Sequence, residues 1–300
     1  MEKHPLTLAA RPQIQALLKR YPPVVSELTF TNLFAWRHSR PVWFSVVKDT
    51  LLFWVTEGGG TEPTVLFGPP VGSLAIEEVA TTYASIISRL VRIPHPEAER
   101  LRQNGYLAEE DRANADYVYL VRSLAELAGR RYAKKRNHVK NCLEQCRCEY
   151  ESFSPGVIAE CLAMQGQWCE MRECAVNLGL AGEDTAIRET LEHFEEFECF
   201  GGAIRVDGRI AAYAVAEPLN ADTAVWHFEK AMPEIPGLGQ LINQWFAKYA
   251  LAGFTYVNRE QDLGIPGLRQ AKESYFPDHL VEKYTVRPAA AAIAGDCSRR

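Results

Sequence analysis

Apolar and polar positions along this chain follow two periods, and the switches between them outline its elements. Residues 200–206 and 209–217 are apolar, strand-like runs, and Asp207-Gly208 between them is a two-residue hairpin signal. Residues 223–230 continue as a third strand. After the turn Pro236-Gly-Leu-Gly239, the residues Leu238, Leu241, Ile242, Trp245, Phe246 and Tyr249 form one stripe. That i, i+3, i+4, i+7 spacing predicts an amphipathic helix. A strand over 254–258, a short helix over 267–275 and a last strand over 280–286 complete the half.

The first half repeats this order. Residues 42–47 and 50–56 form a hairpin about Lys48-Asp49, residues 64–67 a third strand, 74–92 a helix and 117–121 a later strand. Hairpin, strand, helix, strand, met twice, predicts a tandem α/β unit: residues 1–122, then 123–287 with a basic linking helix. Ser123-Leu-Ala-Glu126 is a capping-box pattern that opens the region between. Tyr132, Val139, Leu143 and Cys146 are expected to be its apolar stripe. Residues 288–300 lack packing positions and read as a disordered tail.

Composition narrows the class. The 300 residues are 47% hydrophobic and 24% charged with net charge −5, ordinary for a globular protein and too acidic for wholesale nucleic-acid binding. No apolar run reaches the roughly 18–20 residues that cross a bilayer, and the N-terminus lacks a signal-peptide pattern. The expected location is cytoplasmic, and the 8 cysteines are then expected as free, mostly buried thiols. Cys142, Cys146 and Cys148 lack a zinc spacing. The glutamates at 189, 192, 195, 196 and 198 read as a solvated helix face, so no metal site is expected.

Candidate chemistry lies where strands end. Tyr256-Val-Asn-Arg-Glu-Gln-Asp-Leu-Gly264 runs a core strand into a polar burst that a core does not need. Arg259 can clamp a carboxylate or phosphate through its planar fork, or pair with Glu260 at the surface. Asn258 can orient a carbonyl. Asp262 can fix Arg259 or hold an amine, or cap a turn near Gly264. Period-two alternation puts Val225, His227 and Glu229 on one face and Trp226, Phe228 and Lys230 on the other. Glu229 is either a general base or an ion-pair partner of Arg259 or Lys230. Gly237, Leu238, Gly239 and Gln240 open a helix whose free backbone N–H groups can cradle phosphate, or they are ordinary turn punctuation before a helix. Arg130, Arg131, Lys134, Lys135, Arg136 and Lys140 make six cations with no acid among them. They are either a solvated face or a surface for tRNA, a nucleotide cofactor or anionic lipid. Arg136, Asn137 and His138 are the candidates there for pointing inward.

Gly129-Arg-Arg-Tyr-Ala-Lys-Lys-Arg-Asn-His138, His227-Phe-Glu-Lys230 and the 256–264 segment together resemble the DUF2156 family, over roughly residues 20–287. That family is related to the C-terminal domain of phosphatidylglycerol lysyltransferases. The resemblance implies a tandem GNAT fold, with mixed, mostly antiparallel sheets flanked by helices and a gap between splayed strands. It implies a transferase ancestry in which acyl-CoA or aminoacyl-tRNA serves as co-substrate, with no tightly bound cofactor. It further implies that Tyr275 protonates a leaving group, the alternative being core packing with a satisfied hydroxyl. The expected function is transfer of an activated acyl group to an amine or hydroxyl of a small-molecule or aminoacyl acceptor. The alternative is a non-catalytic module that binds such a ligand in the same cleft.

Overall fold

A computed structural model describes residues 1–57 and 60–289. Up to residue 110 the strands are β1 (His4–Pro5), β2 (Trp43–Val47), β3 (Thr50–Val55), β4 (Val65–Phe67), β5 (Arg89–Pro94) and β6 (Tyr106–Glu110). Then follow β7 (Asp116–Leu120), β8 (Cys148–Ser152), β9 (Phe200–Val206), β10 (Arg209–Pro218), β11 (Thr223–Ala231), β12 (Tyr256–Asn258), β13 (His279–Val281) and β14 (Lys283–Pro288). They build two mixed, mostly antiparallel sheets, in the orders β1-β2-β3-β4-β5-β14-β6 and β13-β7-β12-β11-β10-β9-β8.

Helices α1 (Arg11–Arg20) and α2 (Phe30–Ala35) cover one face of the first sheet, and α3 (Ile76–Thr82) and α4 (His95–Gln103) the other. Alternation along β3 feeds both layers: Leu51 and Phe53 pack toward α1 and α2, Leu52 and Trp54 toward α3 and α4. On the second sheet, α5 (Val121–Glu126), α6 (Ala133–Gln145) and α9 (Leu238–Tyr249) share one core. Helices α7 (Pro155–Met171) and α8 (Leu178–Glu192) cover the opposite face, and α10 (Pro266–Glu273) follows β12. The expected repeat is present. In β2-β3-β4-α3-β5 and in β9-β10-β11-α9-β12, a hairpin and a third strand lead through a helix to a parallel strand.

Four expectations need correction. The helix expected over 74–92 ends at Thr82, and Arg89–Pro94 is a strand. The spacing of Ile86, Ile87, Leu90 and Val91 is helical, but parallel pairing with β4 and antiparallel pairing with β14 prevail. The strand expected over 280–286 is two strands, β13 on the second sheet and β14 on the first. Strand β7, from the first half of the sequence, lies in the second sheet between β13 and β12, so each sheet contains a strand from beyond the expected boundary at 122. Finally, Cys169 and Cys174 are disulfide-bonded across the end of α7, while Cys142, Cys146, Cys148, Cys161 and Cys199 are free. Pro288 closes β14, and the rest of the expected tail, with Cys297, lies outside the described residues from 290 on.

Glu189 of the acidic run is engaged rather than solvated, accepting from Arg37 at 3.0 Å and facing His38 at 2.9 Å. None of the described helices is long and apolar enough to cross a membrane.

Candidate active site between parted strands

Strands β11 and β12 pair only from Thr223–Val225 to Tyr256–Asn258. Beyond that point β12 stops, while β11 runs on to Ala231 against β10 alone. The strands therefore part, and Glu229 and Arg259 stand where they do.

A bulge decides which side chains reach the gap. Opposite the consecutive residues Val215 and Ala216, β11 offers Phe228 and Trp226, so His227 is the extra residue. The period-two assignment fails here. Phe228 and Lys230 face α7 and α8, with Lys230 bonded to Glu183 at 2.8 Å and 4.2 Å above the Trp168 ring. Glu229 joins Trp226 on the α9 side. Lys230 is therefore a buried structural cation, not a gap residue.

In the gap, Arg259 Nη2 donates to Glu229 Oε2 at 2.9 Å. Asn243, fully buried on α9, touches both. Its amide nitrogen reaches Glu229 Oε2 at 3.3 Å, whereas the turned amide accepts from Arg259 Nη1 and Nη2 at 2.5 and 3.1 Å. The second arrangement makes two charge-assisted bonds instead of one long one, and we adopt it. The guanidinium also lies 4.6 Å from the Trp226 ring, 5.5 Å from Tyr275 and 5.7 Å from Tyr119. With the amide turned, Arg259 donates to Glu229 Oε2, and no hydrogen bond among the described residues falls on Oε1.

Two lysines flank this cage. Lys135 donates to Ser274 Oγ at 2.7 Å and lies 3.9 Å above the Tyr275 ring. Burial, then the Arg259 charge, pulls its pKa down. Lys272 donates to the Arg259 carbonyl, and burial with Arg259 lowers its pKa to about 8. Burial keeps the Tyr275 and Tyr119 hydroxyls protonated well above the usual phenol range. Three cations, one carboxylate and protonated phenols suit a ligand with negative or developing negative charge.

The rest of the polar burst turns elsewhere, which corrects the substrate-binding role expected of Asn258, Glu260 and Asp262. Asn258 is fully buried and donates to Asp116 at 3.0 Å. Glu260 has left-handed backbone (φ 57°), and its carboxylate crosses to His227 and Asn32 at 2.8 and 3.1 Å. Asp262, also fully buried, accepts from Tyr117, Arg112 and Arg269 at 2.7, 3.1 and 2.8 Å. Burial would raise its pKa, but Arg269 and Tyr117 hold it well below the usual range. These groups are consumed by protein partners and fix the loop that presents Arg259.

Arg136 is also corrected. Its Nη1 donates to the carbonyls of Leu127 and Gly129, the latter at 2.7 Å, so it clamps α6 to the preceding turn. Asn137 is exposed and His138 half-buried. The residue of this helix that does reach the gap is Lys135. Tyr132, Val139 and Cys142 are the buried positions while Leu143 is exposed, and Lys135 falls in phase with that stripe. Gly237, at φ 86°, caps α9, and a Cβ there would come within 2.2 Å of the His138 carbonyl. Its lack of a side chain serves helix packing. The Leu238 N–H is spent on the Ile235 carbonyl, whereas Gly239 has open space beside it and precedes half-buried Gln240. No cluster of three or more His, Cys, Asp or Glu among the described residues is placed to hold a metal.

His227, behind the gap, gives a pH test. Burial lowers its pKa, but hydrogen bonds with Glu217 and Glu260, each 2.8 Å, outweigh burial and lift it to about 9. A histidine raised on folding contributes fully below its unfolded pKa near 6.5 and loses that contribution as pH rises through 9. Urea unfolding should show on the order of 3 kcal/mol lost across this window, and His227→Gln should flatten the slope. An equal slope in both proteins would remove His227 as its source.

Known proteins share this fold. The family model described as phosphatidylglycerol lysyltransferase, C-terminal, matches residues 18–287. A crystal structure of a conserved protein of unknown function from Bacteroides thetaiotaomicron is 32% identical, covering 96% of this chain and 100% of its own, with a TM-score of 0.86. Fold likeness extends to L-PGS from Bacillus licheniformis (14% identity, 98% and 95% covered, TM-score 0.67). It extends also to FemX (11% identity, 95% and 97% covered, TM-score 0.61). No curated protein matches the chain at a significant level. With two sheets of one build, a gap in the second and this family match across nearly its whole length, the chain belongs to the phosphatidylglycerol lysyltransferase C-terminal family.

Proposed function

We propose that the gap is the active site of a transferase that moves an aminoacyl group from an activated ester to an amine or hydroxyl. The observation that carries this reading is the pairing of Glu229 with an Arg259 caged by Trp226, Tyr119 and Tyr275 where the strands part. The acceptor nucleophile attacks the acyl carbon and its proton passes to Glu229 Oε1. Arg259 and Lys135 stabilise the oxyanion. The bond from carbon to the leaving oxygen then breaks, and Tyr275 protonates that oxygen. Two observations favour an aminoacyl-tRNA over acyl-CoA as donor. The His138 carbonyl covers Gly237, where the pyrophosphate of coenzyme A would need positive potential. The family's description is that of a lysyltransferase.

The test offers the protein tRNA charged with a labelled amino acid, or labelled acyl-CoA, with amine and hydroxyl acceptors. Label is expected to leave the aminoacyl-tRNA, and Arg259→Lys should lower kcat/KM on the order of 100-fold because the planar fork is lost. Stabilisation by such ligands with no label transferred would make the chain a non-catalytic binding module instead.

A further inference from the structure

Behind the gap, two helices are tied by a bond that the acyl-transfer chemistry does not use. Cys169 and Cys174 are disulfide-bonded where α7 ends, and α8 begins four residues later. Cys174 is buried and Cys169 half-buried, so attack from solvent falls on the Cys169 sulfur. Within the loop that the bond closes, Glu173 sits in the left-handed region at φ 52°, where an ordinary side chain is strained. Opening the bond lets that residue relax.

A chain of contacts runs from this bond to the strand of Glu229. Gln165, buried on α7, donates to Cys169 Sγ at 3.6 Å and to Asp184 of α8 at 2.9 Å. Its side-chain carbonyl accepts from the Tyr213 hydroxyl at 2.6 Å, and Tyr213 of β10 pairs with Lys230 of β11. The Lys230 ammonium lies 4.2 Å from the ring of Trp168, the neighbour of Cys169, and Glu183 of α8 holds it at 2.8 Å. Gln165, Trp168, Glu183 and Asp184 therefore brace the residue next to Glu229. The disulfide ties together the two helices that carry them.

The surface around the bond identifies its reactant. Leu178 is 90% exposed and Val176 81%, the two most exposed large apolar side chains among the described residues, and Met171 inside the loop is 45% exposed. All three lie within four residues of a bonded cysteine. A single exposed leucine is ordinary, but an apolar rim around a disulfide fits a protein surface better than a small polar thiol. We propose that Cys169–Cys174 is a redox modification site, reduced by a protein dithiol whose reactive sulfur is set in an apolar surface, and that reduction loosens the brace on β11. One sulfur of the dithiol, as thiolate, bonds to Cys169 Sγ; the bond to Cys174 breaks, and Cys174 leaves as a thiolate that takes a proton. The second sulfur gives up its proton and attacks the mixed disulfide, and Cys169 leaves as a thiolate that is protonated in turn. Two electrons and two protons pass to the chain, and the dithiol ends as its own disulfide.

The test uses reduced thioredoxin as the protein dithiol and dithiothreitol as a small one. Thiol release from the oxidised protein is timed with each, and hydrogen exchange over residues 165–184 is read before and after. Thioredoxin should open the bond without denaturant, and exchange over this segment should then rise at least about tenfold. The double variant Val176→Ser, Leu178→Ser changes only exposed groups and should fold as wild type does. Its rate with thioredoxin should fall at least about tenfold, with its rate with dithiothreitol unchanged. The double variant Cys169→Ser, Cys174→Ser should exchange like the reduced protein whether or not reductant is present. No reduction by thioredoxin of the folded protein, unaltered exchange after reduction, or a wild-type thioredoxin rate in the Val176→Ser, Leu178→Ser variant would each overturn the proposal. None of these readouts needs an acyl donor, so they stand or fall apart from the transferase reading.

Discussion

Lys283→Met should cost the protein about 3–5 kcal/mol, the loss expected when one partner of a buried ion cluster is removed. Lys283 is fully buried, and its ammonium donates to Asp116 Oδ1 at 2.6 Å and to Glu27. Burial would raise the Glu27 pKa, but Lys283 and Arg92 hold it below the usual range. Without the lysine, Arg92 still faces Glu27 at 2.9 Å. Asp116 keeps neutral donors from Ser26, Asn258 and Gln261 but no cation. A buried carboxylate in that state is the costly one. Thermal unfolding should fall by roughly 10 °C for a chain of this size. Because β7 and β14 each lie in the sheet of the other half, the loss should appear as one transition. The double variant Lys283→Met, Asp116→Asn should recover part of the loss, since the amide removes the stranded charge. A single variant melting within about 2 °C of wild type would show that the cluster does not hold the halves together.

Local pattern carries further in some segments of this chain than in others. The turn at Asp207-Gly208 was legible because both residues take the positive φ such a hairpin requires (48° and 88°). The α9 stripe was legible from Leu238, Leu241, Ile242 and Phe246, all fully buried. Arg89–Pro94 was not, because its strand state depends on β14, nearly 200 residues away. Nor could 280–286 reveal its division, since a continuous strand-like run does not show which sheet has a vacant edge or slot. The site was legible in part. Glu229 and Arg259 meet as one of the two readings of those residues allowed. Asn258, Glu260 and Asp262 looked like site walls because a single sequence cannot show the partners Asp116, His227 and Arg269 that claim them. Lys135 and Asn243 were missed for the opposite reason. A lysine in a basic run and an amide on an apolar helix look unremarkable until their helices are docked, and only the in-phase position of Lys135 with Tyr132 and Val139 signals it.

Glu229→Gln should reduce acyl transfer by about 10³-fold or more while leaving the fold intact, if Glu229 takes the nucleophile's proton. The amide keeps the volume and one acceptor, so Arg259 retains a neutral partner in place of the carboxylate at 2.9 Å. What the variant loses is basicity at Oε1, together with the charge that balances Arg259. The two losses can be separated. Arg259→Ala leaves the carboxylate and removes its clamp, so a purely structural ion pair predicts that both single variants and the Glu229→Gln, Arg259→Ala double lose stability together and transfer only in proportion. A catalytic carboxylate predicts that Glu229→Gln alone lowers kcat/KM by about 10³-fold while its melting midpoint stays near that of wild type. Transfer at the wild-type rate by Glu229→Gln would take Glu229 out of the chemistry and leave the caged arginine as a binding group alone.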